Sequence, residues 1–394
     1  MPGSIRVARL FGIDIRIHIS WLLIFFLVVI GLSEDIYPGQ FPRWSREKAL
    51  AVSAVTALLF FASVLAHELA HSLVARRFRM SVSSITLFLL GGVANLTREP
   101  PSARAEFFMA AAGPFTSIVI GLVGLGLAMV TESSLDRTQS ALQVVYAVAS
   151  YLGSINILVA GFNLIPGFPL DGGRVLRSAI WGIGGDRTRA TRVAARLGQV
   201  VAGLFLLLAA NFLFGFNFEI FGIQLEQNQV QGFWYGLIAY FLYNAASQSL
   251  QQERITSVIG GAKVAQLMTT DFRTTTSGTS VAALIRDVVL PLNLRAIPVL
   301  AGDRFLGVVT IGDLRKVEQE RWSMTPVDEV MTPASELPSV TPDDQLTTAL
   351  ERFGASDIAL LPVLSGGRLV GLLYRESVVG YVRMREMLGL DGRR

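Results

Sequence analysis

The stretch SVLAHELAHSLVARR, residues 63–77, places two histidines and a glutamate within an apolar run of the length of a membrane helix. His67 and His71 are four residues apart, so a helix brings both imidazoles to one face. Glu68 points to another part of the turn. This H-E-x-x-H spacing suits two zinc ligands and a general base that activates water. The alternative is a pair of buried, hydrogen-bonded histidines with a glutamate that faces another helix.

The composition is that of a membrane protein. Of 394 residues, 52% are hydrophobic and 16% are charged, and the mean hydropathy is +0.51. Ordinary soluble domains carry about 25% charged residues. The chain has no cysteine, which excludes disulfides, thiolate metal sites and a cysteine nucleophile. The basic excess is explained by positive loops at a membrane, so no nucleic-acid partner is expected. We recognise no removable signal peptide.

Hydropathy predicts six membrane spans, since a spanning helix needs about 20 apolar residues. Two further segments read as β-structure. Residues 5–17 are typical of a strand or an interfacial segment. Residues 82–96, which Gly91-Gly92 interrupts, favour a hairpin or re-entrant strand at membrane depth. The six predicted spans are approximately 17–33, 49–73, 105–130, 144–165, 196–214 and 232–249.

Arginines in the loops predict the topology. The N-terminal arm carries three arginines and the segment 174–196 carries six, whereas the loops near 131–140 and 215–230 are poor in basic residues. Because positive loops stay inside, both termini are expected in the cytoplasm. The loop 34–48 is a partial exception, since its basic residues are mixed with acidic ones.

A third metal ligand must come from outside the helix, because catalytic zinc usually takes three protein ligands. Asp171 and His18 are the candidates. Asp171 follows the prolines of the broken stretch NLIPGFPLDGG, residues 163–173, at the depth expected for His71. Its alternative role is to cap a helix that begins at Gly172. For His18, an interfacial role is favoured over one beside the metal.

After about residue 255 the sequence becomes typical of a soluble α/β domain and repeats itself. The segment 296–310, AIPVLAGDRFLGVVT, aligns with the segment 360–374, LLPVLSGGRLVGLLY. The internal repeat of roughly 60 residues predicts two copies of one structural unit.

HELAH in a span, with NLIPGFPLDGG about one hundred residues later, resembles the site-2 protease family of intramembrane zinc metalloproteases over residues 1–250. The resemblance implies one Zn²⁺ per chain, bound by His67, His71 and Asp171, with Glu68 as catalytic base. It also implies a substrate-orienting role for Asn163, and pairing of an extended substrate with the β segment at 82–96. Ser117 stands where the family often has asparagine after its Gly-Pro pair. No PDZ-like insert is visible between the third and fourth spans.

The repeat resembles a tandem pair of cystathionine-β-synthase-type (CBS) domains, many of which bind adenine nucleotides. The resemblance puts Thr310 and Asp313 at positions that usually hold ribose and phosphate. In the second copy Tyr374 and Ser377 replace them, so at most one site keeps the pattern. The alternative is a purely structural or dimerising module, and a homodimer through the CBS domains is expected on the same ground.

The predicted fold is a polytopic α-helical membrane protein with six transmembrane helices and a small membrane-associated β-sheet, followed by a cytoplasmic α/β tandem CBS pair. The expected domains are residues 1–250 (metalloprotease), 251–261 (linker), 262–322 and 323–384 (CBS domains) and 385–394 (tail).

Three functions remain open at this point. The favoured one is regulated intramembrane proteolysis of single-span membrane proteins, such as anti-sigma factors or membrane-bound transcription regulators, under regulation by the CBS pair. The second is a CBS-gated transporter or channel that uses the His/Asp cluster as an ion site. The third is a protease-like protein that binds substrate without cutting it. Glu68 separates the first two, because an ion site has no need for a general base beside its ligands.

Overall fold

The fold was analysed in a computed structural model. It divides into two compact units, Met1–Gln251 and Gln252–Arg394. The tail residues 389–394 lie outside the described part of the chain, and so do residues 134–139, most of the loop near 131–140 that is predicted to be poor in basic residues. The described residues are 3–89, 91–96, 100–133, 140–215, 219–220, 223–224, 227–259, 261–355 and 358–388.

The first unit consists of long helices and one four-stranded sheet. A π-helical turn, Leu32–Ile36, joins the first two helices into one continuous rod. The elements are β1 (Ser4–Leu10), β2 (Ile13–His18), α1 (Ser20–Gly31), α2 (Tyr37–Gln40), α3 (Arg46–Arg77), β3 (Val82–Phe88), β4 (Gly91–Leu96), α4 (Ala103–Ser133), α5 (Ser140–Asn163), α6 (Asp171–Gly184), α7 (Arg187–Phe214), β5 (Glu219–Ile220), β6 (Ile223–Gln224) and α8 (Gln229–Ile259).

Within the described residues, five helical segments are long and apolar enough to cross a membrane. They are Ser20–Gln40, Arg46–Arg77, Ala103–Glu132, Ala141–Asn163 and Arg187–Phe214. The sixth predicted span falls on α8, a helix of 31 residues. Polar residues such as Asn244 and Gln248 keep it out of this group, so a six-span count stays a prediction.

The sheet has the strand order β1-β2-β3-β4. The strand predicted at residues 82–96 is confirmed as the antiparallel pair β3 and β4. The segment predicted at residues 5–17 is a hairpin rather than one strand, because Phe11 and Gly12 both take positive φ and turn the chain. Strand β2 pairs in parallel with β3. Ile13 and Ile85 are fully buried in the core beneath the sheet.

Helices α4 and α5 approach closely at glycines. A Cβ on Gly124 would lie 2.9 Å from the carbonyl oxygen of Ala149 and from backbone atoms of Gly153, and a Cβ on Gly153 would lie 2.7 Å from the amide nitrogen of Leu125. Small residues allow such contact between helix backbones in a membrane, where packing rather than water drives association. This contact fixes α4, the helix that forms the wall of the site described below.

We expect Gly124→Val to destabilise the first unit, because the added side chain must force α4 and α5 apart. Overpacking of this kind costs about 1–3 kcal/mol. Gly126→Val is the matched control, since a Cβ there meets nothing within 4 Å. The measurement is the thermal unfolding midpoint of each variant in detergent. Equal midpoints for the two variants would contradict this account of the packing.

The second unit contains the repeat. Strands β9, β8 and β7 of the first copy form a sheet of order β10-β9-β8-β7 with β10, which comes from the start of the second copy, and β11 pairs with β12 in the second copy. Phe305 and Val308 of the first copy pack against Leu360 and Leu372 of the second, so the copies share a hydrophobic cluster. The elements are β7 (Thr275–Thr276), α9 (Val281–Leu284), α10 (Leu290–Leu292), β8 (Ala296–Ala301), β9 (Arg304–Thr310), α11 (Ile311–Leu314), β10 (Thr332–Pro333), α12 (Leu346–Ala355), β11 (Leu360–Ser365), β12 (Arg368–Tyr374) and α13 (Arg375–Met387).

Candidate metal centre

Helices α3 and α6 bring His67, His71 and Asp171 together. Oδ2 of Asp171 lies 3.1 Å from Nε2 of His67 and 3.1 Å from Nε2 of His71. The two Nε2 atoms are 3.2 Å apart. Among the described residues these three form a group that could hold a metal ion. The alternative role of Asp171 as a cap is wrong, because Leu170 occupies the cap position without a side-chain cap bond and the carboxylate faces the histidines.

The protonation of His71 explains why this group needs a cation. Nδ1 of His71 lies 2.6 Å from the carbonyl oxygen of Met109. A carbonyl can only accept, so Nδ1 carries the proton and Nε2 of the neutral ring has a lone pair. That lone pair faces a carboxylate oxygen and a second imidazole nitrogen. Three acceptors at this separation repel one another unless a proton or a metal ion lies between them.

The dimensions of the group fit zinc. Zn²⁺ with tetrahedral bonds of 2.0–2.1 Å holds neighbouring ligand atoms about 3.3 Å apart, close to the separations found here. Gly113 of α4 keeps the space open. A Cβ on Gly113 would overlap Nε2 of His71 and lie 2.5 Å from Nε2 of His67. Any other residue at position 113 would fill the place where the ligand atoms converge.

The glycines around Asp171 fix its position. A Cβ on Gly172 would overlap the carbonyl group of Leu164, and one on Gly173 would lie 2.5 Å from the amide nitrogen of Phe168. The broken stretch 163–170 can therefore fold tightly back on the start of α6. The amide of Phe168 also donates to the carbonyl of Ala194 on α7, at 3.1 Å. The loop is thus held from both sides, and with it the carboxylate.

Glu68 lies beside the group and under the edge of the sheet. A Cβ on Gly92 of β4 would lie 2.5 Å from Cγ and 3.2 Å from Oε1 of Glu68. Only a residue without a side chain lets β4 pass this close to the carboxylate. Since β4 is the last strand in the sheet order, its outer edge lies next to Glu68.

One face of α4 supports both histidines. The Oγ atom of Ser117 lies 2.9 Å from Nδ1 of His67, and Ser117 is only 1% exposed. Met109, Gly113 and Ser117 follow one another at four-residue intervals, which places them on one side of a helix. Sequence reasoning noted Ser117 only as a departure from the family pattern and missed its contact. The four-residue spacing is the signal that could have identified this face.

A buried ion pair joins α4 to α6. Nε of Arg177 donates to Oε1 of Glu106 at 2.7 Å, and a second donor of the guanidinium contacts the same oxygen. The side chain of Glu106 is fully buried and that of Arg177 is 12% exposed. Arg177 also stacks over the ring of Phe168, 5.0 Å from its centroid. The pair therefore fixes the helix that carries Asp171 to the helix that orients the histidines.

Two other predicted residues lie apart from the group. Asn163 ends α5, and its Nδ2 donates to the carbonyl of Val159 at 3.0 Å, so a role in substrate binding stays a prediction. His18 hydrogen-bonds through Nδ1 with Ser20, at 2.8 Å between Nδ1 and Oγ. His18 is not in the group of His67, His71 and Asp171, and its interfacial role stays a prediction.

Thr310 and Asp313 form a capping box at the start of α11. Oγ1 of Thr310 donates to the carboxylate of Asp313 at 2.7 Å, and Lys316 donates to the other carboxylate oxygen at 2.8 Å. Burial by itself raises the pKa of Asp313, but the hydrogen bonds from Lys316 and Thr310 outweigh burial and lower it. This cap accounts for both residues without a nucleotide.

Known proteins match nearly the whole chain. Residues 55–142 and 126–210 match Peptidase family M50, and residues 264–320 and 327–384 match the CBS domain. A Synechocystis protein named zinc metalloprotease sll0528 is 33% identical over 383 residues, which are 96% of this chain and 95% of that protein. The chain belongs to peptidase family M50. It is a zinc metalloprotease of the site-2 protease type, with a tandem CBS pair, and a multi-pass membrane protein.

A second curated relative agrees with the M50 assignment. The zinc metalloprotease Rip3 of Mycobacterium tuberculosis is 34% identical over 383 residues, 96% of this chain and 92% of that protein. The solved site-2 protease of Methanocaldococcus jannaschii is 32% identical, covers 63% of this chain and 95% of its own, and has a TM-score of 0.41. Family membership implies zinc, and the three acceptor groups described above fit that metal.

We expect Ser117→Ala to weaken zinc binding about 10- to 100-fold, the usual effect of removing a hydrogen-bond partner of a metal-ligating histidine. Thr116→Val is the matched control, because the Thr116 hydroxyl donates to Ala112 of its own helix. The measurement is the zinc dissociation constant by chelator competition. Unchanged affinity in Ser117→Ala would show that Ser117 does not act through His67.

We expect Arg177→Met to cost about 3–5 kcal/mol of unfolding free energy, since it leaves the Glu106 carboxylate buried without its charge partner. The double variant Glu106→Leu/Arg177→Met removes both charges and should recover part of that loss. The measurement is denaturant unfolding of the wild type, both single variants and the double variant. Additive losses would mean that the two side chains are not coupled.

Proposed function

We propose that this protein hydrolyses peptide bonds within or near the transmembrane segments of single-span membrane proteins. The observation that carries the proposal is the convergence of His67, His71 and Asp171 on membrane-type helices, with Glu68 beside them under the free edge of a sheet. Zinc supplies Lewis-acid polarisation of a carbonyl and acidifies water when it is bound. The three converging side chains are its proposed ligands.

Glu68 is the proposed general base. It lies next to the ligand group but is separate from it, so its carboxylate is available to take a proton from the attacking water and deliver it to the leaving amine. Proton transfer of this kind is worth about 10²–10⁴ in rate. The contact with Gly92 limits the space around the carboxylate and orients it.

The outer edge of β4 is the proposed docking site for the substrate backbone. A transmembrane helix cannot be cut as it stands, because its carbonyl groups are hydrogen-bonded and its backbone is shielded. An extended segment paired with β4 presents its peptide bonds next to Glu68, and strand addition supplies main-chain hydrogen bonds without demanding one sequence. Asn163 is proposed to orient the substrate through its amide.

The proposed substrates are membrane-held transcription regulators or anti-sigma factors, already trimmed by another protease. Cleavage is proposed near the cytoplasmic face, with both termini and the CBS pair in the cytoplasm. The support for this orientation is the set of arginines at the end of α3 and along residues 174–196. Regulation by the CBS pair, an adenine nucleotide at Thr310 and Asp313, and a CBS-mediated homodimer stay predictions of the family resemblance.

We expect Glu68→Gln to keep zinc and the fold but to lose cleavage by at least about 10²-fold, because glutamine cannot accept the proton. Glu47→Gln, an exposed glutamate in the first turn of the same helix, is the matched control. The measurement is zinc content per chain together with cleavage of a panel of single-span proteins. Normal turnover by Glu68→Gln would refute the assignment of the base.

His71→Phe completes the design, because it should lose both zinc and cleavage. Zinc retained at the wild-type level in His71→Phe would remove His71 from the ligand set. If the wild type holds zinc and cuts no member of the panel, the proposed substrate class is wrong while the metal site stands.

A further inference from the structure

The N-terminal hairpin exposes apolar side chains at the far edge of the sheet. Ile5, Val7 and Phe11 are 73%, 62% and 66% exposed. Strand β2 of the same hairpin buries Ile13 and Ile15 against the core. The hairpin is thus anchored to the core through β2, whereas no described residue of the chain covers the exposed apolar side chains of β1 and of the turn.

The hairpin lies where two membrane helices end. Strand β2 ends at His18, and α1 begins at Ser20. The guanidinium of Arg76, in the last turn of α3, donates to the carbonyl of Phe11 at the hairpin turn. The start of one candidate span and the end of another therefore meet the hairpin at the same membrane face. Exposed Ile19 and Leu22 continue its apolar surface onto α1.

The surface formed by the hairpin and the end of α3 is strongly basic. Residues 3–18 and 76–82 contain six arginines and a single acidic residue, Asp14. Arg6 and Arg9 share Asp14, each at 3.7 Å. Arg79 is exposed, and its side chain makes no hydrogen bond or ion pair with the described residues. The described residues therefore leave most of the positive charge at this end of the spans uncompensated.

A cavity of about 330 Å³ opens between the hairpin turn and the end of α3. Arg76 and Arg79 both line it, and Arg76 has further donors besides the one on the Phe11 carbonyl, since a guanidinium carries five. Paired guanidinium groups match the geometry of phosphate oxygens. The lining residues are Gly12, Arg76, Arg79, Met80, Ser81 and Val82.

We propose that this cavity binds the phosphate headgroup of an anionic phospholipid, whose acyl chains lie along Phe11, Val7 and Ile5. A lipid is the occupant that fits because the apolar surface and the membrane helices are continuous, and because the anion pocket lies at the end of those helices. Strands β1 and β4 are the two edges of one sheet, so the lipid stabilises the sheet whose other edge covers Glu68.

The first experiment counts bound lipid by native mass spectrometry of the full-length protein in detergent. Wild type should bind phosphatidylglycerol more tightly than phosphatidylcholine of the same chain length. Arg76→Gln/Arg79→Asn should lose about 25-fold in affinity for phosphatidylglycerol, at about fivefold per arginine near an anionic lipid surface. Arg79→Asn alone leaves the bond to Phe11 intact, suits a left-handed backbone, and should lose about fivefold.

The matched control is Arg273→Gln/Arg315→Asn, which removes the same charge from exposed positions in the second unit. It should bind like the wild type. Equal binding of the two lipids, or equal losses in the control, would overturn the proposal. Inorganic phosphate bound as tightly as phosphatidylglycerol would overturn it as well, because the acyl chains would then contribute nothing and the site would be one for free phosphate.

The second experiment measures depth in the membrane. The chain has no cysteine, so a fluorophore on Phe11→Cys reports from a single place. In nanodiscs of phosphatidylglycerol we expect strong quenching by lipids that carry a nitroxide near the headgroup and weak quenching by aqueous iodide. The reverse pattern would show that the hairpin tip lies in water or against another protein, and would overturn the proposal.

Discussion

Three lone pairs converge where α3, α4 and α6 meet, and much of the first unit serves to hold them there. The bond from His71 to the Met109 carbonyl fixes one ring, and Ser117 fixes the other. The pair Glu106–Arg177 ties the helix of the carboxylate to the helix of these supports. In an apolar environment such a cluster of acceptors is unfavourable by itself. A bound cation turns the same cluster into a source of stability.

The sequence was most informative where chemistry and spacing coincide. The i, i+4 pair of His67 and His71 needs only a helix to share a face, and Asp171 was identified by the proline-broken stretch before it. Hydropathy located five of the predicted spans well. Hydropathy predicted α8 less well, because polar residues within this helix lower its mean hydropathy. The hairpin at residues 5–17 was predicted only as a strand or an interfacial segment, because the turn at Phe11 and Gly12 was not recognised.

The contacts that support the metal-binding group could not be predicted from the spacing of residues in the sequence. Ser117, Gly113 and Glu106 are ordinary helical residues until the face of α4 that contains them is known. Ser117 contacts His67, fifty residues earlier, and Glu106 pairs with Arg177, about seventy residues later. Spacing along the chain does not predict contacts between residues so far apart. Gly92 is a similar case, because its importance arises only from the side chain of Glu68 beneath it.

That contact gives the register of the sheet a meaning beyond packing. Gly92 is paired with Leu87, and residues paired across an antiparallel ladder point to the same face. A slip of one residue would bring Val93 opposite Leu87 and direct its isopropyl group onto the carboxylate. The hydrogen-bond ladder between two short strands therefore keeps the space above the Glu68 carboxylate open, and a sheet in the wrong register would be a folded state in which Val93 fills that space.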